Sequence, residues 1–437
     1  MKTVAYHNLG CKVNSYEMDA MLQALRQKGY QIVSFDEKAD VYIVNTCTVT
    51  GIADRKSRQM LHRAKKTNPE GIVVAVGCYV QSDTQAVEAD SAVDLLVGNN
   101  RKKDLADILE RYLEGAAQES VIDINHTSEY EEMRLTSTTE HTRAYIKIQD
   151  GCNQFCTYCM IPYVRGRVRS RRKQDVLEEI RGLSAAGYRE FVLTGIHISS
   201  YGMDFQQGQE ENLLALVQAI DAVEGVERIR LGSLEPRIVT EAFAGGLAAL
   251  RHICPHFHLS LQSGCETVLK RMNRHYTPGD FLNGVNLLRQ AFGHPAVTTD
   301  VIVGFPGETE DEFEATRQFV ETAGFYEMHI FKYSRRKGTK AAVMPMQVPE
   351  AEKGRRSSVL QSIERRDSKH YRSHYIGRDV EVLFEEKKKI AGEEYWMGHT
   401  REYVKVAFPA QGEDLENQLV TGRITGFLGD EIMVMEY

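Results

Sequence analysis

The chain has 437 residues, 42% hydrophobic and 26% charged, with 54 Lys and Arg against 61 Asp and Glu for a net charge of −7. That length exceeds the ordinary domain of about 100–200 residues, so two or three domains are expected and a small stapled scaffold is excluded. The charge excludes a chain that coats nucleic acid through a global positive potential, and no apolar run approaches the roughly 18 residues of a spanning helix. The first residues carry no apolar run leading to a small-residue cleavage site, which predicts a cytoplasmic protein with no membrane association. The eight cysteines would stay reduced there, as ligands, nucleophiles or packing groups.

Residues 1–112 alternate apolar strands (3–7, 41–45, 72–76) with amphipathic stretches (15–28, 52–66), which predicts an α/β domain with a parallel sheet. Residues 113–142 turn polar and Thr/Glu-rich without either period and read as a linker. From 143 to 370 the βα rhythm resumes, with strands expected at 144–149, 191–194, 228–231, 257–261, 298–303 and 327–331. Six such units suggest an open (β/α)6 partial barrel with its chemistry at the strands' carboxyl ends. Residues 371–437 hold five short strands with Gly-containing turns, the pattern of a small β-barrel.

Cys152, Cys156 and Cys159 form C-x3-C-x2-C just past the first strand of the central domain. A helical stripe of packing thiols would share this spacing, but Asn153, Gln154 and Thr157 interleave polar groups. Zinc suits thiolates at short spacing, yet no fourth ligand lies nearby. Three thiolates on a 4Fe-4S cluster leave one iron open to a substrate. Cys11, Cys47 and Cys78 each fall at the carboxyl end of a predicted strand, and parallel strands bring those ends to one edge. Three unrelated buried cysteines remain the alternative; Cys254 and Cys265 lack such placement and read as structural.

The central strands end in LTGIH (Thr194, Gly195), GSLEP (Ser233, Glu235), LQSG (Gln262) and VGFPGET (Gly304). Glycines there admit a ligand to the backbone, and an acid such as Glu235 can hold ribose hydroxyls or an ammonium group, so a nucleoside-bearing cofactor is expected in the barrel mouth. RGRVRSRRK (165–173) and residues 352–378, with eight Lys and Arg against three acids, are candidate phosphate contacts or solvated faces. The last 67 residues carry eight Lys and Arg against thirteen acids, so RNA contact there would need one face, formed by Lys387, Lys388, Lys389, Arg401 and Lys405 with Tyr395 or Trp396.

CNQFCTYC, with Tyr158 in the aromatic position near the adenine, together with the three amino-terminal cysteines, HLSLQSGCETVLKRMNRHY, VGFPGET and YSRRKGTKAA, resembles the radical S-adenosylmethionine (SAM) methylthiotransferases along essentially the whole chain. The last 67 residues resemble that family's RNA-binding TRAM barrel. LGCKVNSYE around Cys11 looks most like the branch acting on N6-threonylcarbamoyladenosine beside the tRNA anticodon. The isopentenyladenosine and ribosomal-protein aspartate branches are the nearest alternatives, and an iron-sulfur electron carrier without SAM chemistry is a rival of another class. The resemblance implies two 4Fe-4S clusters, on Cys152, Cys156 and Cys159 and on Cys11, Cys47 and Cys78. It further implies SAM, the tRNA anticodon arm, and an electron donor such as flavodoxin or ferredoxin.

Overall fold

A computed structural model describes residues 2–116, 120–138, 142–206 and 211–436. The amino-terminal region forms a five-stranded parallel sheet from β1 (Thr3–Asn8), β2 (Gln31–Val33), β3 (Val41–Thr46), β4 (Ile72–Gly77) and β5 (Leu95–Val97), ordered β2-β1-β3-β4-β5. β3 is buried along its whole length because helices cover both faces, which is why it reads as a continuous apolar run. The edge strands β2 and β5, three residues each, are too short to show a period and are not anticipated from the sequence. Helices α1 (Lys12–Gln27), α2 (Gly51–Thr67) and α3 (Cys78–Ser82) follow β1, β3 and β4. Thr50 starts α2 by accepting the Ala53 N–H through its hydroxyl.

The central region contains β6 (Arg143–Asp150), β7 (Arg169–Ser170), β8 (Glu190–Gly195), β9 (Arg228–Leu231), β10 (His256–Gln262), β11 (Ala296–Val303) and β12 (Glu327–Lys332). All but β7 match the six expected strands to within two residues. β6, β8 and β9 pair in parallel, as do β10, β11 and β12; bridges at Ile229–Ile253 and Leu234–Leu259 join the two sheets into the open partial barrel. β7 pairs antiparallel with the end of β6. Along β10 the side chains of Phe257, Leu259 and Leu261 are fully buried, whereas His256, His258 and Ser260 on the alternate face are only half-buried and point into the barrel.

The carboxy-terminal strands β13 (Asp379–Ile390), β14 (Glu393–Thr400), β15 (Lys405–Pro409), β16 (Leu419–Phe427) and β17 (Met433–Glu436) close into the expected small barrel. It docks at the amino-terminal ends of the central strands. Arg228 and Arg230 donate to the Glu381, His399, Thr400 and Arg401 carbonyls, and the His256 ring packs at a tilt against Tyr403 at 5.2 Å. The helix Glu350–Ser373 leads into this barrel across position 370.

One hydrophobic core runs through the first two regions, holding Val4, Met21 and Leu25 together with Ala144, Ile146 and Ile148. The stretch at 113–142 lies against this core, although 117–119 and 139–141 fall outside the described residues. Ile124, Met133 and Leu135 are buried, Tyr16 donates to the Met133 carbonyl, and the Leu135 N–H donates to Glu179 at 2.6 Å. Its polar composition conceals this packing, because the partners of its polar groups lie in other elements.

At the junction with the small barrel, Glu190 is fully enclosed beside Arg230 at 2.8 Å and Arg228 at 3.8 Å. Burial alone would raise its carboxyl, but the charges of Arg230, Arg143 and Arg228 win and hold it down to about 2. A carboxylate depressed in the folded state stabilises above its unfolded value near 4.5, and this contribution is lost as pH falls towards about 2. Glu190→Gln is therefore expected to cost about 3–5 kcal/mol near neutral pH by stranding two buried guanidinium groups. It should also flatten the decline in melting temperature below pH 4.5, read from thermal melts across pH.

Candidate active site

The amino-terminal cysteines converge as strand topology requires. Cys11 caps α1 and is exposed, Cys47 follows β3, and Cys78 opens α3 directly after β4. Parallel pairing of β1, β3 and β4 sets these three points on one edge. Gly10, at φ +108°, passes so close to Cys47 that a Cβ there would stand 3.3 Å from its Sγ and 2.8 Å from Asn14 Nδ2. Burial pushes the Cys47 thiol up to about 11, with the neighbouring thiols of Cys78 and Cys11 acting in the same direction.

The second triad sits on the loop after β6. Cys152 donates its N–H to the Gly166 carbonyl, and Gly151, at φ +73°, lies where any Cβ would collide with the Arg167 carbonyl. The loop is pinned from the far side of the barrel by the segment after β10. Thr157 donates through its N–H to Met272 and through its hydroxyl to Arg271, and Asn273 donates to the carbonyls of Gln154 and Phe155. Burial raises Cys152 to about 11 and Cys159 to about 12. Arg274, half-buried, directs its guanidinium at Cys156 Sγ, 3.4 Å away.

A single buried arginine joins the two triads. Arg165 is 1% exposed; its Nε lies 3.3 Å from Cys78 Sγ, and its terminal nitrogens meet Glu17 at 2.5 Å, Asn14 at 2.6 Å and Asp150 at 3.3 Å. Glu17 also receives Lys102 at 2.5 Å and Lys147 at 2.7 Å, and Lys147 meets Asp150 at 2.7 Å. Asn99 donates to the Val164 carbonyl and lies 3.5 Å from Cys78 Sγ. The 164–166 segment therefore touches Cys78 on one side and Cys152 on the other, and the two triads share a wall. Sequence reading misses Glu17, Lys102, Lys147, Asn99 and Arg274 and assigns Arg165 to a phosphate patch, since their partners lie up to 151 residues away and leave no local pattern.

The strand-end residues surround the second triad. Tyr158 packs edge-on against Phe305 at 6.3 Å. Thr194 and Gly195 end β8, where a Cβ on Gly195 would meet the Gln149 carbonyl at 3.0 Å. Ser233 is exposed; Glu235 is buried, donates its N–H to the Ser199 hydroxyl oxygen at 2.8 Å, and pairs with Arg237 at 2.6 Å. Gln262 ends β10 with φ +67°. Gly304 follows β11, donates its N–H to Glu308 at 2.6 Å and packs beneath Lys353, whose Cγ would stand 2.3 Å from an added Cβ.

The expected phosphate patches are divided: six of their fourteen Lys and Arg are buried, while Arg355, Arg365, Arg366, Lys369 and Arg378 of the second stay exposed. Arg165, Arg169 and Arg171 are at most 1% exposed, because their guanidinium groups turn onto buried acids, including Asp150 and Glu179. Arg167 and Arg172 remain exposed. Lys353, Arg356 and Arg372 in the second patch are likewise buried and paired with Glu350, Glu308 and Glu327. On the small barrel, Trp396 belongs to the core and donates to the Glu413 carbonyl, while Arg401 donates to the Arg251 and Ile253 carbonyls at the domain junction. Lys387, Lys388 and Lys389 are exposed as expected.

All eight cysteines are free thiols. Among the described residues, the group of three potential ligands lying within 4.8 Å of one another is His258, Asp300 and His329; neither cysteine triad is so tight. Tetrahedral zinc holds its sulfurs about 3.8 Å apart, so the wider triads suit the corners of a multi-iron cluster better. The His258 ring is already engaged on both nitrogens, by Asp300 and by Thr298. The donor chemistry of both triads, three thiols with a guanidinium against one sulfur, fits a 4Fe-4S cluster.

Residues 3–98 match the family described as Uncharacterized protein family UPF0004, and residues 146–320 match the Radical SAM superfamily. The solved structure of the radical S-adenosylmethionine methyltransferase TsrM from Kitasatospora setae, with cobalamin and a [4Fe-4S] cluster bound, shares the fold. Its TM-score is 0.60 at 15% identity, covering 78% of this chain and 77% of that one. The chain belongs to the radical SAM methylthiotransferases, enzymes that use SAM and two 4Fe-4S clusters. Within that family it is 42% identical, over 97% of its length and 94% of the relative's, to threonylcarbamoyladenosine tRNA methylthiotransferase MtaB of Bacillus subtilis (strain 168). The MtaB of Aquifex aeolicus (strain VF5) is 38% identical over 90% of this chain and 95% of its own. A tRNA-2-methylthio-N(6)-dimethylallyladenosine synthase from Carboxydothermus hydrogenoformans is 36% identical over 95% of each chain.

Arg165→Gln is expected to leave Glu17 and Asp150 short of buried positive charge and to destabilise the protein by about 3–5 kcal/mol. Because the same charges are coupled, Glu17→Gln combined with Arg165→Gln should cost clearly less than the two single changes added together, measured by denaturant unfolding of all four proteins.

Proposed function

We propose that this chain converts N6-threonylcarbamoyladenosine, beside the anticodon of tRNA, to its 2-methylthio derivative. The observation that carries the reading is two cysteine triads on one shared wall, in a chain 42% identical to a threonylcarbamoyladenosine tRNA methylthiotransferase over 97% of its length. In this reading Cys152, Cys156 and Cys159 hold one cluster and leave an iron open to SAM, and Cys11, Cys47 and Cys78 hold the other. When bound, these groups supply reductive cleavage of SAM to a hydrogen-abstracting radical, and the sulfur that is methylated and inserted at C2 of the adenine.

The chain's own residues bind, orient and shield. Tyr158 offers a ring face to the adenine of SAM, and Glu235, paired with Arg237, accepts from ribose hydroxyls. Thr194, Gly195, Ser233, Gln262 and Gly304 form the surrounding strand ends, where backbone can approach the cofactor. Arg165 and Arg274 hold positive charge against one sulfur of each triad. Electrons come from a donor such as flavodoxin or ferredoxin, and the setting is the cytoplasm. No described helix is long and apolar enough to cross a membrane.

Nucleoside mass spectrometry of tRNA from cells with and without the gene tests the substrate. The expected result is loss of the methylthio form with accumulation of threonylcarbamoyladenosine. Loss of methylthio-isopentenyladenosine instead, or methylthiolation found on a ribosomal-protein aspartate, would replace this substrate. Alanine at Cys152, Cys156 or Cys159 should abolish deoxyadenosine release from SAM. Alanine at Cys11, Cys47 or Cys78 should permit that release and stop methylthio product, both read by mass spectrometry of reconstituted protein. Intact clusters without any deoxyadenosine would favour an electron carrier.

A further inference from the structure

The cations that the sequence offered for RNA contact are mostly committed elsewhere, yet exposed cations are concentrated at the mouth. The start of α2 carries Arg55, Lys56 and Arg58, all exposed, a few residues beyond Cys47. The loop after β12 carries exposed Lys337 and Lys340. Among the described residues, none of these five forms an ion pair.

The two segments are one surface. Gly51 donates its N–H to the Ser334 hydroxyl at 3.2 Å, and Arg336 binds Asp54 at 2.5 Å and Thr48 at 2.6 Å. On its other side the same loop reaches the second triad: Ala341 donates its N–H to the Thr157 carbonyl at 2.8 Å, and a Cβ on Gly338 would lie 3.8 Å from the sulfur of Met160, the neighbour of Cys159. This rim therefore spans the gap between the triads. It also exposes apolar side chains that a solvated edge does not need: Val49 at 56%, Ile52 at 57%, Val343 at 81% and Met346 at 75%.

We propose that the rim formed by residues 49–58 and 334–346 is the cradle for the anticodon loop, its cations meeting phosphates and its apolar side chains lying against splayed bases. This rests on the reading of a tRNA substrate and names the surface that presents it. Charge complementarity favours RNA, and so does position, because the substrate base must reach both triads through this opening. The small barrel cannot supply that contact with its docking face, which covers the opposite ends of the strands.

The test uses full-length protein with both clusters loaded, and tRNA lacking the methylthio group, by measuring affinity across salt concentrations. Arg55→Gln/Lys56→Gln and Lys337→Gln/Lys340→Gln alter exposed side chains without buried partners, and unchanged melting temperatures verify folding. Each pair should weaken binding and lower the slope of log affinity against log salt by about 1.4–1.8, the share of two phosphate contacts. Lys387→Gln/Lys388→Gln/Lys389→Gln on the small barrel serves as the comparison. Unchanged affinity and slope in both rim variants, with wild-type protein binding and methylthiolating tRNA, would overturn the cradle and leave the substrate reading standing. Wild-type protein that fails to bind tRNA would overturn both. Slower reduction by flavodoxin with unchanged tRNA affinity would assign the rim to an acidic electron donor instead.

Discussion

The arrangement depends on one buried charge cluster. Glu17 from α1 accepts Lys102 of its own domain and Lys147 and Arg165 of the next, and Asp150 balances the latter two. Several charges taken out of water are worth keeping only where each finds a partner of opposite sign with good geometry. Here the partners come from different domains, so the cluster is satisfied in one relative placement of those domains. Arg165 then carries that placement directly to Cys78, and through Gly166 to Cys152. The separation of the two sulfur-rich sites is set by a salt network rather than by the chain that connects them.

Electrostatic accounting also explains the small barrel. Glu190, Arg228 and Arg230 mark the opposite end of the strands, where carbonyls of β14 and the turn after it receive the guanidinium groups. Arg401 and Trp396, which look like nucleic-acid contacts when considered as residue types, are absorbed by docking and by the barrel's core. The acidic balance of that region is consistent with a module that has given up part of its positive charge to hold the enzyme together.

The sequence made the periodic and the local legible. Six strands of the partial barrel and six cysteines followed from apolar runs, spacing and strand ends, because each is written within a few neighbouring residues. β2 and β5 escaped because three residues carry no period. The RGRVRSRRK run misled for a physical reason: three of its arginines turn onto buried acids supplied by other segments, and a buried arginine looks the same in sequence as one facing a phosphate until its acid is located. Glu17 and Arg165 are 148 residues apart, and nothing short of the folded chain pairs them.

The hydrophobic core shared by α1 and β6 also bears on how the protein matures. A zinc finger waits for its metal to fold, because its ligands are most of its core. Here Met21, Leu25, Ala144 and Ile146 pack into a continuous interior to which none of the six cysteines belongs. The polypeptide can complete its interior before iron arrives, so that cluster insertion becomes the filling of a finished receptacle.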